Sequence, residues 1–433
     1  MTSVTKDRSI EERYIERSEK SRLAFEQAKH WLPGGSSRQA GLWAPFPLTI
    51  AQGEGSYIWD IDGHRYLDLV NNYTALVHGH AYPPIIRAVK EQLPKGTCWS
   101  ASCESQLTLA QLLVNRVESI DQVRFTNSGS EAGNLALMIA RAHTGRNKIL
   151  MARGGYHGSI MEFEAGFTGR DGPMTLVAEY GDLSTFEAIL KRHGSEIAAV
   201  FLEPVMGASG VVPGSRSFLE GVKSATHQAG ALFILDEVLT LRLAFGGYQS
   251  VVGIKPDLTL FGKFIGGGFP VGAVGGPEAL FELFDPLNLK IFHTGTFNAN
   301  PVTMVAGSAS VEGLTAARID KMEQAAQTLE IGLLTAAEKV GLPLTVNRVG
   351  SVMNLFFSAN PGGAYHQRDD LPIITRFHLA ALNHGLFMAP RGLIALSTVT
   401  SEEQVDEAIS LGRRAMEDVI KELPDAAHPG WCR

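Results

Sequence analysis

The sequence predicts an α/β protein: a mostly parallel sheet covered by helices, with a second, smaller α+β domain. Three observations lead there. First, between about residues 105 and 300 short apolar runs such as "IAAVFLEPV", "ALFILDEV" and "DLTLFGK" alternate with helical stretches, the pattern of parallel strands buried on both faces. Second, these runs close on polar residues, Glu203, Asp236 and Lys263. Each is separated from the next by about the length of one strand–helix–strand repeat, roughly 30 residues. Third, the character changes after about residue 310, where "VGSVMNLFFS" reads as a strand of a different sheet.

Taken in order, residues from about 10 to 30 read as one helix, with Ile10, Tyr14, Leu23, Phe25 and Ala28 among charges, ending before "LPGG". "PLTIAQGEGSYIWDIDGHRYLDL" alternates around a "DIDGHRY" turn and reads as a β-meander. "VRFTNSGS" leads from a strand into the helix "EAGNLALMIARAHTG", closed by Gly145, and "KILMARGGYHG" is a strand followed by a glycine turn. Further on, "PIITRFHLAALNHG" is a helix stopped at Gly385, and Ser401 with Gln404 forms a capping box that opens a long terminal helix. The expected organisation is an N-terminal segment, 1–75, belonging to the small domain; a large domain, 76–309; and a C-terminal small domain, 310–433.

The chain has 433 residues, more than one core usually holds, with 45% hydrophobic and 19% charged residues. A net charge of −7 argues against nucleic acid as a partner, because phosphate backbones need a basic footprint. Cys98, Cys103 and Cys432 show neither CxxC spacing nor a disulfide framework, so a reducing compartment and no metal site are expected. The N-terminus lacks an apolar signal region and no run is long enough to span a membrane. The expectation is a soluble, cytoplasmic protein.

Neighbouring parallel strands would bring Glu203, Asp236 and Lys263 to one sheet edge, where such sheets bind ligands. Singly, each has a plain reading: a helix cap for the acids, a solvated side chain for the lysine. "TNSGSEAGNLAL" places Asn127, Ser128, Gly129 and Ser130 at a helix start, where free N–H groups and hydroxyls cradle an anion, although an ordinary serine cap would look the same. It is neither a Walker loop nor a dinucleotide fingerprint, which disfavours ATP and NAD. Tyr156, in "RGGYHGS", follows another strand and is able to stack on a flat ring. A phosphate cradle, a stacking aromatic, an acid and a strand-end lysine suit pyridoxal 5′-phosphate. The lysine would form the Schiff base, and the acid would keep the ring nitrogen protonated.

In its motifs "NSGSEA", "GGYHG", "EPVMGASG", "LDEV", "LFGKFIGGGFPVGAVGG" and "HTGTFNANP", in that order, the chain resembles the class III, fold type I, pyridoxal-phosphate aminotransferases from about residue 30 to its end. The resemblance implies a seven-stranded-type sheet in the large domain and a small domain built from both termini. It makes Lys263 the Schiff-base lysine and Asp236 the partner of the ring nitrogen. Val238 and Tyr156 would pack on the two ring faces, Ser128, Gly129 and Ser130 would hold the phosphate, and Glu203 would lie near the ring hydroxyl. It further implies a homodimer with shared sites, in which Thr296 reaches the phosphate of the neighbouring subunit. The partners would be a small-molecule amino donor and a 2-oxo acid acceptor in ping-pong order.

For the substrate, "DEVLTLRLAFGGYQ" departs from the run that many class III members share: Leu239 stands where a polar residue is common, and the downstream arginine is absent. "GGSSRQAGLWAPFPLTIAQGEG" and "MAPRGLIALS" are similar to segments of aromatic β-amino acid aminotransferases. Carried over, Arg38 would bind the β-amino acid carboxylate and Arg391 the α-carboxylate of the acceptor, as guanidinium forks suit carboxylates. Trp43 and Phe46 are candidates for an aromatic pocket or for the core. Glutamate-1-semialdehyde aminomutase ranks second, an ω-amine transaminase is a further alternative, and a cofactor-binding protein without turnover stands third.

Overall fold

The computed structural model describes residues 8–358 and 368–427; Cys432 lies outside them. The chain divides into two compact units, one of Met1–Tyr73, His78–Tyr82 and Lys321–Arg433, the other of Thr74–Val77 and Pro83–Asp320.

The second unit holds a seven-stranded sheet. Its spatial order is Gln122–Thr126, Gly272–Gly276, Leu258–Gly262, Leu232–Asp236, Ile197–Leu202, Lys148–Ala152, Thr175–Ala178. Gly272–Gly276 runs antiparallel to both neighbours, and the other pairings are parallel. This is the α/β architecture the sequence predicts. The central strands are buried along their whole length, which is why they read as unbroken apolar runs. Phe201, Ile234 and Leu260 pack on one face beneath Leu135 and Ile139 of the helix Gly129–Thr144. Val200, Phe233 and Leu235 pack on the other beneath Phe186, Phe218 and Val222. Alternate residues therefore serve opposite faces.

In the first unit the meander forms as Ile50–Glu54, Tyr57–Asp60 and Arg65–Asp68, all antiparallel, with Leu386–Phe387 added parallel to the last. A second sheet comprises Thr345–Val349, Val352–Phe356 and Leu393–Ala395. Gly385 closes the helix Leu371–His384 at φ 89°, a conformation glycine adopts without cost. The capping box opens Glu402–Glu422, with Gln404 N–H donating to Ser401 Oγ at 3.3 Å and Ser401 N–H to Gln404 Oε1 at 3.0 Å.

The first predicted helix is two. Ile10–Arg17 and Glu19–Ala28 are separated at Ser18, whose φ and ψ are −117° and 40°. The second start is satisfied from elsewhere in the chain: Asp62, in the meander turn, accepts the N–H groups of Lys20 at 2.7 Å and Ser21 at 3.0 Å. A remote carboxylate supplies the cap that local sequence does not.

Phe46 is a core residue of this unit, and Trp43 packs half-buried against that core. The Phe46 ring lies tilted against Tyr14 with ring centroids 5.1 Å apart, and Trp43 meets His378 edge-on at 4.9 Å. Burial pushes the His378 imidazole down to about 3, so it is neutral in the folded protein. The unfolded chain binds a proton there below about pH 6.5, and the folded chain does not until about pH 3. Stability is therefore expected to fall on acidification through that window by about 1.4 kcal/mol per pH unit from this group, with no contribution above it. Urea unfolding at pH 7 and pH 5 tests this: His378→Phe should flatten the slope, and an unchanged slope rejects the assignment.

The strand Arg65–Asp68 runs into an unusual turn. Asn71, Asn72, Tyr73 and Thr74 all have left-handed backbones, with φ of 47°, 50°, 54° and 74°, at a cost of roughly 1–2 kcal/mol per residue. Asp68 Oδ1 accepts the N–H groups of Val70 at 2.7 Å and Asn71 at 3.1 Å, and Asn71 Nδ2 donates to the Ala395 carbonyl at 2.8 Å. These bonds hold the turn against its strain.

Candidate active site

Parallel pairing aligns Leu202 with Leu235 and Asp236 with Leu260. Glu203, Asp236 and Lys263 thus stand at the carboxyl ends of three adjacent strands, and the structure brings them to one sheet edge. Lys263 is the first residue of a short 3₁₀ turn and has φ 52°. A non-glycine residue held in this sparsely populated region is a mark of functional sites.

Asp236 is only 6% exposed. Its Oδ1 accepts the Val238 N–H at 2.9 Å, and its Oδ2 pairs with His157 Nδ1 at 2.9 Å. His157 is itself buried, with Phe163 and Phe201 flanking its ring and its Nε2 without a hydrogen-bond partner. The carboxylate is thereby fixed in orientation by a histidine to which the sequence reading gave no role. The signal was present in "GGYHG", one residue after the tyrosine that was selected.

Glu203 is buried, and its pKa is raised by that burial. Its two oxygens accept the N–H groups of Tyr156 at 2.9 Å and Gly207 at 3.1 Å. Glu203 therefore ties the loop carrying Tyr156 to the sheet edge, while the Tyr156 ring stays 47% exposed.

The helix Gly129–Thr144 starts beside this edge with Ser128 as N-cap. Ser128 Oγ takes the Glu131 N–H at 3.1 Å and the Ser128 carbonyl takes that of Ala132 at 3.0 Å. The N–H groups of Gly129 and Ser130 remain at the open end of the helix, where an anion is favoured. Ser130 Oγ accepts the Ser159 N–H at 2.9 Å and keeps its own proton to donate. A Cβ on Gly129 would lie 3.5 Å from Val238, and one on Gly262 3.2 Å from it, so Val238 sits between the helix start and the strand that ends at Gly262, just before Lys263. Gly272 makes this approach possible: a Cβ there would fall 2.0 Å from the Ser128 carbonyl oxygen. Asn127 Nδ2 donates to Asn298 Oδ1 at 2.7 Å, which anchors the loop carrying the exposed Thr296.

Arg38 and Arg391 belong to the other unit, where the structure brings them to a common neighbour. Their guanidinium carbons lie 5.9 and 5.6 Å from the centroid of the Tyr73 ring. Leu239 packs against Gly207, and Arg242 is fully buried, with Nη1 donating to the Thr74 carbonyl at 3.2 Å. Burial pushes the Arg242 guanidinium down to about 9.

Comparison with known proteins gives a consistent result. The class III aminotransferase family profile matches residues 40–416. A β-phenylalanine transaminase from Variovorax paradoxus is 39% identical over 92% of this chain and 93% of its own length. A glutamate-1-semialdehyde 2,1-aminomutase from Aeropyrum pernix is 37% identical over 88% of this chain and 93% of its own. The crystal structure of an ω-transaminase from Sphaerobacter thermophilus superposes with a TM-score of 0.88 at 37% identity, covering 92% of this chain and 97% of that one.

Proposed function

The chain belongs to the class III aminotransferases, and from that premise we propose that it moves an amino group from an aromatic β-amino acid, of the 3-amino-3-phenylpropanoate kind, to a 2-oxo acid such as 2-oxoglutarate or pyruvate. Enzymes of this family depend on pyridoxal phosphate. The residues present fit that group. The Gly129 and Ser130 N–H groups and the Ser130 hydroxyl suit its phosphate, Val238 and Tyr156 suit its ring faces, and the buried, oriented Asp236 suits a protonated ring nitrogen.

When bound, pyridoxal phosphate supplies an aldehyde that takes up an amino group and a ring that accepts electrons. Lys263 Nζ contributes the primary amine, first as nucleophile and then as the base that takes the proton from the amine-bearing carbon of the donor. Asp236 would hold the proton on the ring nitrogen, with His157 orienting Asp236. Glu203 fixes the Tyr156 loop in place. Thr296, exposed here, is assigned to the phosphate of a neighbouring subunit, so the working form is a homodimer with shared sites. A cytoplasmic location belongs to the same reading. Among the described residues no helix is long and apolar enough to cross a membrane.

The observation that carries the β-amino acid reading is the pair Arg38 and Arg391 on one tyrosine ring. Two carboxylates must be read in turn, one on the donor and one on the acceptor, and two guanidiniums are available for them. The test is purified enzyme with 3-amino-3-phenylpropanoate and 2-oxoglutarate. Glutamate and a 3-oxo acid should appear together, with ping-pong kinetics. Conversion of glutamate-1-semialdehyde instead, with no glutamate formed, selects the aminomutase; turnover confined to simple amines selects an ω-amine transaminase.

A further inference from the structure

The geometry points to Tyr73 as a specificity-determining residue: a single phenol ring that positions Arg38 and Arg391 for carboxylates at two different distances from the reacting carbon. This rests on the β-amino acid reading. In a β-amino acid the carboxylate is one carbon further from the amine-bearing carbon than the carboxylate of a 2-oxo acid is from its carbonyl carbon. One rigid cation cannot serve both, whereas two cations on a shared support can.

The support is built for the purpose. Tyr73 sits third in the left-handed run Asn71–Thr74, and strain of this kind is kept where a side chain must be presented in a particular direction. Its hydroxyl donates to the Ala40 carbonyl, two residues past Arg38. Arg38 Nη1 donates to Asn72 Oδ1 at 2.8 Å, so the same turn holds Arg38 by a side-chain bond as well as by the ring. Arg391 is fixed from behind: its carbonyl accepts from Arg368 Nη1 and from Asn354 Nδ2, the latter at 3.3 Å, and Arg368 is buried in an ion pair with Asp370. The guanidinium of Arg391 then lies on Tyr73, with its Nε buried and without a hydrogen-bond partner. The negative face of an aromatic ring beside two like charges offsets part of their repulsion.

The experiment uses holoenzyme carrying Tyr73→Leu or Tyr73→Phe. The donor half-reaction is followed by loss of the visible absorption band, with 3-amino-3-phenylpropanoate and with 1-phenylethylamine, which has no carboxylate. The acceptor half-reaction is followed with 2-oxoglutarate, and binding is measured separately by spectral titration with unreactive 3-phenylpropanoate. Tyr73→Leu should raise the KM for both carboxylate substrates, and the Kd of 3-phenylpropanoate, by about 3- to 30-fold. It should leave 1-phenylethylamine within about twofold of the parent enzyme. Tyr73→Phe keeps the ring but loses the bond to the Ala40 carbonyl, so its carboxylate constants should fall between those of the parent and of Tyr73→Leu. Equal losses with and without a carboxylate, or unchanged carboxylate constants, overturn the proposal. Failure of the parent enzyme to accept 3-amino-3-phenylpropanoate overturns the β-amino acid reading instead, and 2-oxoglutarate with 3-phenylpropanoate still tests the ring.

Discussion

Lys263→Ala is expected to lower turnover by more than about 10³-fold, because in the proposed mechanism one side chain supplies both the nucleophile and the proton-transferring base. The enzyme should also lose covalent attachment: coenzyme added to the variant should leave on dialysis, and the protein should not keep the visible band. The substitution removes no core packing, since Lys263 stands at the sheet edge beyond Gly262 and is only half-buried. Thermal unfolding should therefore stay near that of the parent chain. Lys263→Arg separates charge from chemistry. It retains a cation at the same strand end, yet guanidinium does not deprotonate in this range, so it should be as inactive as the alanine variant. Turnover within about 10³-fold of the parent in either variant, or covalent coenzyme retained after Lys263→Ala, would remove the basis of the mechanism.

The second large effect is expected at Asp236. Asparagine keeps the shape and can still accept the Val238 N–H, but it carries no charge to hold a proton on the ring nitrogen. Breaking a buried charged pair by changing one partner costs about 3–5 kcal/mol, equivalent to roughly 10²- to 10⁴-fold in rate if the loss falls on the transition state. Asp236→Asn should show this in kcat for both half-reactions, with little change in KM for either substrate. His157 supplies the control. Its Nδ1 meets the same carboxylate at 2.9 Å, so His157→Phe should lower kcat less than Asp236→Asn does, and the double variant should cost less than the sum of the two. Full additivity would place His157 outside the Asp236 network.

Much of the fold was legible because its causes are local and periodic. The runs ending in Glu203, Asp236 and Lys263 read as strands because a doubly covered sheet demands apolar residues on both faces. Their spacing implied crossovers, and crossovers between neighbours bring polar ends to one edge. The helix start at Ser128 was equally plain, since capping chemistry is written in adjacent residues. Other features had no local signature. The break at Ser18 depends on Asp62, more than forty positions later in the chain. Trp43 and Phe46 were open between pocket and core until His378 and Tyr14 were found packed against them. His157 gained a role only when strand order brought it to Asp236, and Arg242 gave no sequence sign that it would be fully enclosed.

The sequence by itself determined the sheet and the family and singled out the lysine and the acid as candidates, because periodicity, spacing and short motifs act over a few residues. The tertiary structure alone decided which groups touch. It put a histidine on the acid, gave both oxygens of Glu203 to backbone N–H groups, and set two arginines on one tyrosine presented by a left-handed turn. The reason is physical: a hydrogen bond or a ring contact depends on a separation of a few ångströms between atoms that the chain order places tens or hundreds of residues apart.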